Sequence, residues 1–166
     1  MKIPVIKIAV RWSDLDANMH LANASYANFT SFTRTYFLSK FGITLEGFKK
    51  YQMGPIIFHE NFSFFKEVLP NSEVFVSFEV KGLSQTGDLF EFIHNFYDNQ
   101  GSHLAKSYIL GSWIDFNTRK LAVIPQEWSN ILKSIAPKNC ELLNKEKLKT
   151  LPHQKQNIDF NQLVIN

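Results

Sequence analysis

Three long stretches of period-two alternation, separated by four-residue turns, constrain this chain more than any other feature. Glu73 to Leu83 alternates so that Val74, Val76, Phe78 and Val80 fall together. Ser84-Gln-Thr-Gly87 turns the chain, and Leu89 to Tyr97 then sets Phe90, Phe92, His94 and Phe96 on one side. Asp98-Asn-Gln-Gly101 turns it again into His103 to Phe116. Strands joined this tightly must pair antiparallel, because a parallel crossover needs on the order of a dozen residues. A further strand, Ile56 to Val68, comes before them, with Ile56, Phe58, Phe62 and Phe64 assigned to one face and Leu69-Pro-Asn-Ser72 as the link. A meander of this kind has one apolar face that needs a cover.

The cover is predicted earlier in the chain. After a first strand, Val5 to Trp12, residues Asn23 to Lys40 carry Tyr26, Phe29, Phe32, Thr33, Tyr36 and Phe37 at helical spacing, read as one broad aromatic face, with Gly42 at the stop. Thr44 to Tyr51 is a short helix closed by Gly54-Pro55. Pro125 to Ile135 is another, opened by a proline at its first turn. Strand, long helix, then a meander is an α+β order. With 166 residues and 45% hydrophobic content the chain suits one domain, residues 1–135. Residues 136–166 are polar and basic, with apolar residues too sparse for a second core, and are expected to dock on the body or remain partly disordered. The 16 Phe either pack the core or line an apolar ligand cavity.

Charge is unevenly placed. Up to Phe116 there are 10 Lys+Arg and 11 Asp+Glu, a balance of −1; from Asn117 there are 8 and 4, a balance of +4. A neutral body argues against a nucleic-acid-binding core. Cys140 is the sole cysteine, so no internal disulfide forms and a cytoplasmic setting is the simplest fit. No apolar run approaches the roughly 18 residues of a membrane span, so no membrane insertion is expected.

The chemically dense segment lies between the first strand and the long helix: Asp14, Asp16, Asn18, His20 and Asn23. A helix N-terminus offers unpaired N–H groups and partial positive charge, which can hold a thioester carbonyl or a developing oxyanion. A carboxylate beside it can attack that carbonyl or activate water. An amide and an imidazole can orient the water or move protons. Asp14 is read as a local turn anchor and Asn23 as the helix cap. His59 and His94, among Phe residues on strands, are read as half-buried structural groups. No two histidines have metal-ligand spacing within one element, so neither metal nor cofactor is expected.

The segment Arg11-Trp-Ser-Asp-Leu-Asp-Ala-Asn-Met-His-Leu-Ala-Asn-Ala-Ser-Tyr26 resembles the start of the hot-dog-fold thioesterases, in particular the 4-hydroxybenzoyl-CoA and acyl-ACP thioesterases. Asp115-Phe-Asn-Thr-Arg-Lys followed by Ile124-Pro125 is similar to that family's last strand, turn and closing helix, so the likeness runs from Val5 to Ile135. It implies a hot-dog fold, with a long helix wrapped by a curved antiparallel sheet. It implies hydrolysis of an acyl-CoA or acyl-ACP thioester, with Asp16 as nucleophile or general base. Asn18, His20 and Glu67 would complete the catalytic set; an N–H near Asn23 would serve the oxyanion, and Tyr26 would line the substrate slot. It further implies a homodimer or homotetramer with the site at the subunit interface. Arg34, Lys66 or Arg119 are candidates for meeting coenzyme A phosphates. The sequence departs from the family at Met19, where Gly is common, and at Ala22, where Asn is common.

Other readings are weighed against this one. A non-catalytic acyl-CoA or acyl-carrier binding module would keep a Phe-lined cavity and have no need of Asp16. A magnesium-dependent phosphatase built on Asp14 and Asp16 needs a doubly wound fold, at odds with a meander. A hot-dog dehydratase places its His and carboxylate differently. A nucleic-acid role for the tail would be salt-sensitive and lost on removing residues after Ala136.

Overall fold

The computed structural model describes residues 3–155 together with 157 and 158. The meander is present, and bulges divide it more finely than alternation implies. The strands are β1 (Val5–Ala9), β2 (Met53–Phe64), β3 (Glu73–Ser77), β4 (Glu79–Ser84), β5 (Leu89–Tyr97), β6 (His103–Asp115) and β7 (Glu141–Leu143). The helices are α1 (Asn23–Lys40), α2 (Leu45–Tyr51), α3 (Gln126–Ile135) and the single-turn α4 (Glu146–Lys149). The sheet runs β2–β6–β5, after which β3 and β4 pair end to end along β5; β1 borders β3, and β7 borders β4 in parallel.

The expected Glu73–Leu83 strand is broken at Phe78, whose N–H turns away to the Pro4 carbonyl at 3.1 Å. Val74, Val76, Phe78 and Val80 are nonetheless all buried, so the shared face survives the break. In β2 a bulge at Phe58 shifts the register between Ile57 and His59. One extra residue reverses the alternation. Ile57, Glu60, Phe62 and Phe64 therefore share the α1-facing side, and Phe58 packs on the outer face with Leu110 and Tyr108. The expectation of Ile56, Phe58, Phe62 and Phe64 on one face is corrected accordingly. β2 also ends at Phe64, leaving Phe65–Val68 as loop.

Helix α1 covers the inner face. Tyr26 and Phe29 join Val74, Val76, Phe96 and Ala105, while Phe37 and Leu38 join Phe78, Phe90, Phe92, Ile109 and Trp113. Burying each large apolar side chain here contributes about 1.5–3 kcal/mol. Phe32 and Tyr36 do not belong to this face: they are 54% and 37% exposed. Thr33 points inward as expected, and Arg34 is buried beside it. A helix stripe wide enough for all six predicted residues would extend past the sheet it covers. Asn23 is the first helical residue and Ala22 holds the cap position in extended geometry, which corrects the expected Asn23 cap. Pro125 likewise sits at the cap of α3, one position before its first turn.

His94 is fully buried, not half-buried, on the inner face of β5. Its Nδ1 lies 2.7 Å from the Ser77 carbonyl, and burial pushes its pKa down to about 3. On the outer face, β7 and α4 cover a second set of groups. Leu143 packs on Leu89 and Leu110, and lies where a Cβ on Gly82 would stand, 2.8 Å away. Beside it Glu91, also fully buried, meets Lys147 at 3.1 Å and Lys81 at 3.4 Å, and accepts a hydrogen bond from Tyr108. Among the described residues, no helix is long and apolar enough to cross a membrane.

Candidate active site

The loop between β1 and α1 is built around two aspartates with opposite surroundings. Asp14 is buried. Its Oδ1 and Oδ2 accept from the Arg11 guanidinium at 3.0 and 3.1 Å, and Oδ2 also accepts the Arg11 N–H at 2.9 Å. Hydrogen bonds from that guanidinium hold its carboxyl below the usual range. Its carbonyl accepts the Ala22 N–H and the Ser25 hydroxyl, both at 2.9 Å, and so ties the loop to the start of α1. With its carboxylate fully engaged, Asp14 is an anchor.

Asp16 is exposed, and its two oxygens differ. Oδ1 accepts the N–H groups of Asn18 and His20 at 2.8 and 3.1 Å. No group of the described chain bonds Oδ2. The backbone closes the same turn, with Asp16 N–H donating to the His20 carbonyl at 2.8 Å and Met19 N–H to the Asp16 carbonyl at 3.1 Å. Met19 takes a left-handed conformation, φ 61°, where the resembled family commonly has Gly. A side chain there costs roughly 1 kcal/mol, which the turn's hydrogen bonds offset. The carboxylate is thus held by one oxygen and open at the other.

An open cleft of about 370 Å³ is lined by Asp16, His20, Leu21, Asn23, Tyr26, Phe64, Phe65, Lys66, Glu67 and Val68. Asn23 lies at the mouth of α1, and its own N–H makes no hydrogen bond within the described chain. The next N–H, of Ala24, is turned onto Asn23 Oδ1 at 2.9 Å. Tyr26 is 4% exposed and meets Phe64 edge-on at 4.9 Å. Burial raises its hydroxyl pKa. The loop after β2 is tied to this wall by Leu21 N–H, which donates to the Val68 carbonyl at 2.9 Å. That bond brings Glu67 to His20, Oε2 to Nε2 at 2.8 Å, although Glu67 lies three residues past the strand end on which it was expected.

The structure therefore gathers Asp16, His20, Asn23, Tyr26 and Glu67 around one cleft. The Asn18 side chain does not line it; Asn18 contributes its backbone N–H to Asp16. Of the candidate phosphate partners, Lys66 lines the cleft, whereas Arg34 is buried beneath α1, which corrects its expected role. Arg119 lies in the turn after β6, outside the cleft lining. Residue patterns did not single out Phe64 and Phe65. Two consecutive Phe where alternation ends were the available signal.

No curated protein matches the chain by sequence. Solved structures do match its fold. A Staphylococcus aureus protein solved in complex with CoA superposes with TM-score 0.77 at 15% identity, covering 95% of this chain and 96% of that one. The 1,4-dihydroxy-2-naphthoyl-CoA thioesterase of Synechocystis gives 0.71 at 15% identity, covering 81% and 98%. The DHNA-CoA thioesterase of Staphylococcus aureus gives 0.74 at 16% identity, covering 81% and 91%. The fold is the α+β hot-dog fold, as the resemblance implied. The sequence profile of the thioesterase-like superfamily matches residues 10–132, from the last buried residue before the aspartate loop to the middle of α3, and the chain belongs to that superfamily.

Proposed function

We propose that the chain hydrolyses acyl thioesters of coenzyme A, with Asp16 as the reacting carboxylate. The observation that carries this reading is the asymmetry of Asp16. Oδ1 is fixed by two N–H groups while Oδ2 is left open in a cleft that also holds the unpaired N–H of Asn23. In one route Oδ2 attacks the thioester carbonyl, the oxyanion accepts from Asn23 N–H, and the C–S bond breaks to release thiolate; water then hydrolyses the acyl-aspartate. In the other, Asp16 takes a proton from water, and the hydroxide attacks the same carbon. Either route returns one proton to the leaving sulfur. His20, oriented by Glu67, is placed to carry it. Tyr26 and Phe64 form the wall against which the acyl group rests. Superfamily membership supports thioester hydrolysis, and the coenzyme A-linked names of the structural neighbours favour a coenzyme A substrate over an acyl carrier protein.

The working form is read as a homodimer or homotetramer. This is supported by the outer edge of β2, which pairs with no other strand among the described residues. A cytoplasmic setting remains part of the reading, since the sole Cys140 forms no disulfide. The test is a hydrolysis assay over acyl-CoA chain lengths, with Asp16→Asn beside the wild type. Unchanged turnover in the variant overturns the role of Asp16. Tight acyl-CoA binding with no turnover by the wild type would make the chain a binding module.

A further inference from the structure

Phe65 is an unusual residue to leave in water. It lines the cleft and is 56% exposed; Phe64 beside it is 53% exposed and meets Tyr26 edge-on, whereas Phe65 meets His103. Its position is not loose. The N–H groups of Phe65 and Lys66 both donate to the Leu104 carbonyl, at 2.9 and 3.1 Å. Behind the ring stands His103 at 4.6 Å between centroids, and behind His103 the Tyr97 ring, stacked at 5.2 Å and 29°. His103 meets the Phe65 ring at a tilt of 54°, so the three rings form a row that supports Phe65 from one side. A fixed, solvent-facing aromatic face is suited to stacking a planar ring, which every nucleobase offers. Lys66 follows directly, lines the same cleft, and is tied only by an exposed pair with Asp98 at 3.4 Å. Such a pair contributes little and exchanges readily for a phosphate.

We propose that Phe65, buttressed by His103 and Tyr97, is a stacking plate for the purine ring of the substrate's coenzyme A, with Lys66 meeting the adjoining phosphate. This rests on the coenzyme A thioester reading above.

The test compares two thioesters of the same acyl group, one of coenzyme A and one of pantetheine, which lacks the nucleotide. Phe65→Ala raises KM for the coenzyme A thioester roughly tenfold with kcat unchanged, and leaves both constants for the pantetheine thioester as in the wild type. Phe65→Leu, which keeps apolar bulk without a π face, behaves alike and guards against a folding artefact. Equal loss with both thioesters, or no loss with either, overturns the proposal. The hydrolase reading is judged separately, by whether the wild type cleaves the pantetheine thioester at all. If it does not, titration of phosphoadenosine diphosphate into wild type and Phe65→Ala still decides the plate: weakening of roughly tenfold supports it, and equal affinity overturns it.

Discussion

Asp16, in the loop before α1, and Glu91, on β5, are both carboxylates, and the protein treats them in opposite ways. Glu91 lies on the outer face, fully buried, with one oxygen on Lys147 at 3.1 Å, the other facing Lys81 at 3.4 Å, and the Tyr108 hydroxyl donating to it. Asp16 lies in the open with two backbone donors on one oxygen and nothing on the other. Neutralising a buried charge with cations makes structure; orienting an exposed one with neutral dipoles preserves its reactivity. The same contrast appears two positions apart in the sequence, between the ion-paired Asp14 and Asp16.

Four measurements test that contrast. The largest effect is expected from Asp16→Asn, whose amide oxygen can still accept from Asn18 and His20 but cannot attack. Its kcat/KM should fall by about 10²–10⁴ with the melting temperature unchanged. A variant that melts markedly earlier would mean Asp16 is partly structural, as Glu91 is. His94 extends the contrast to a base. It is neutral in the fold, its pKa lowered from 6.5 to about 3, so the unfolded chain binds the extra proton between those values. Its contribution is therefore complete above pH 6.5 and is lost as pH falls toward 3, with a slope of up to about 1.4 kcal/mol per pH unit. Urea denaturation across that window, against His94→Gln, should show the slope removed in the variant.

Lys147→Met leaves Glu91 buried with half its compensation. A stability loss of about 2 kcal/mol, discounted for the partial exposure of both lysines, should appear with turnover intact. A loss of activity instead would tie the outer face to the cleft. Glu67→Gln should have the smallest effect, a fall of roughly two- to tenfold in kcat, since an exposed carboxylate only steadies His20. A shift in the pH–rate profile for this variant, with KM unchanged, would separate orientation of the imidazole from substrate binding.

Much of the fold was legible because it depends on local pattern. Alternation and short turns imply an antiparallel meander, and the helix-period aromatics supply its cover. The bulge at Phe58 and the break at Phe78 were not legible, since each depends on which partner strand competes for the backbone. Around the cleft, the nearness of Asp16 and Asn23 to the start of a helix was readable from their sequence positions. The roles within the loop were not. The Asn18 side chain gave way to its N–H, and the cap fell to Ala22 because Asp14 and Ser25 secure the helix start. The burial of Glu91 was invisible for a related reason: Lys147, which compensates it, arrives from a segment whose composition alone reads as a solvated tail.

The placement of β7 bears on how copies of this chain can add to one another. On the side of the sheet opposite β2, the border is shared by two short strands, the five residues of β1 and the three of β7, with β7 running parallel to its neighbour. The β2 border is twelve residues long and unshared. Growth into a filament needs two long, mutually compatible borders, one to receive and one to offer. A two-fold union through β2, one form the proposed homo-oligomer could take, would use the long border of both copies. Among the described residues, the three residues of β7 present a far shorter row of ladder groups than the twelve of β2, so the two borders are unequal templates for strand addition.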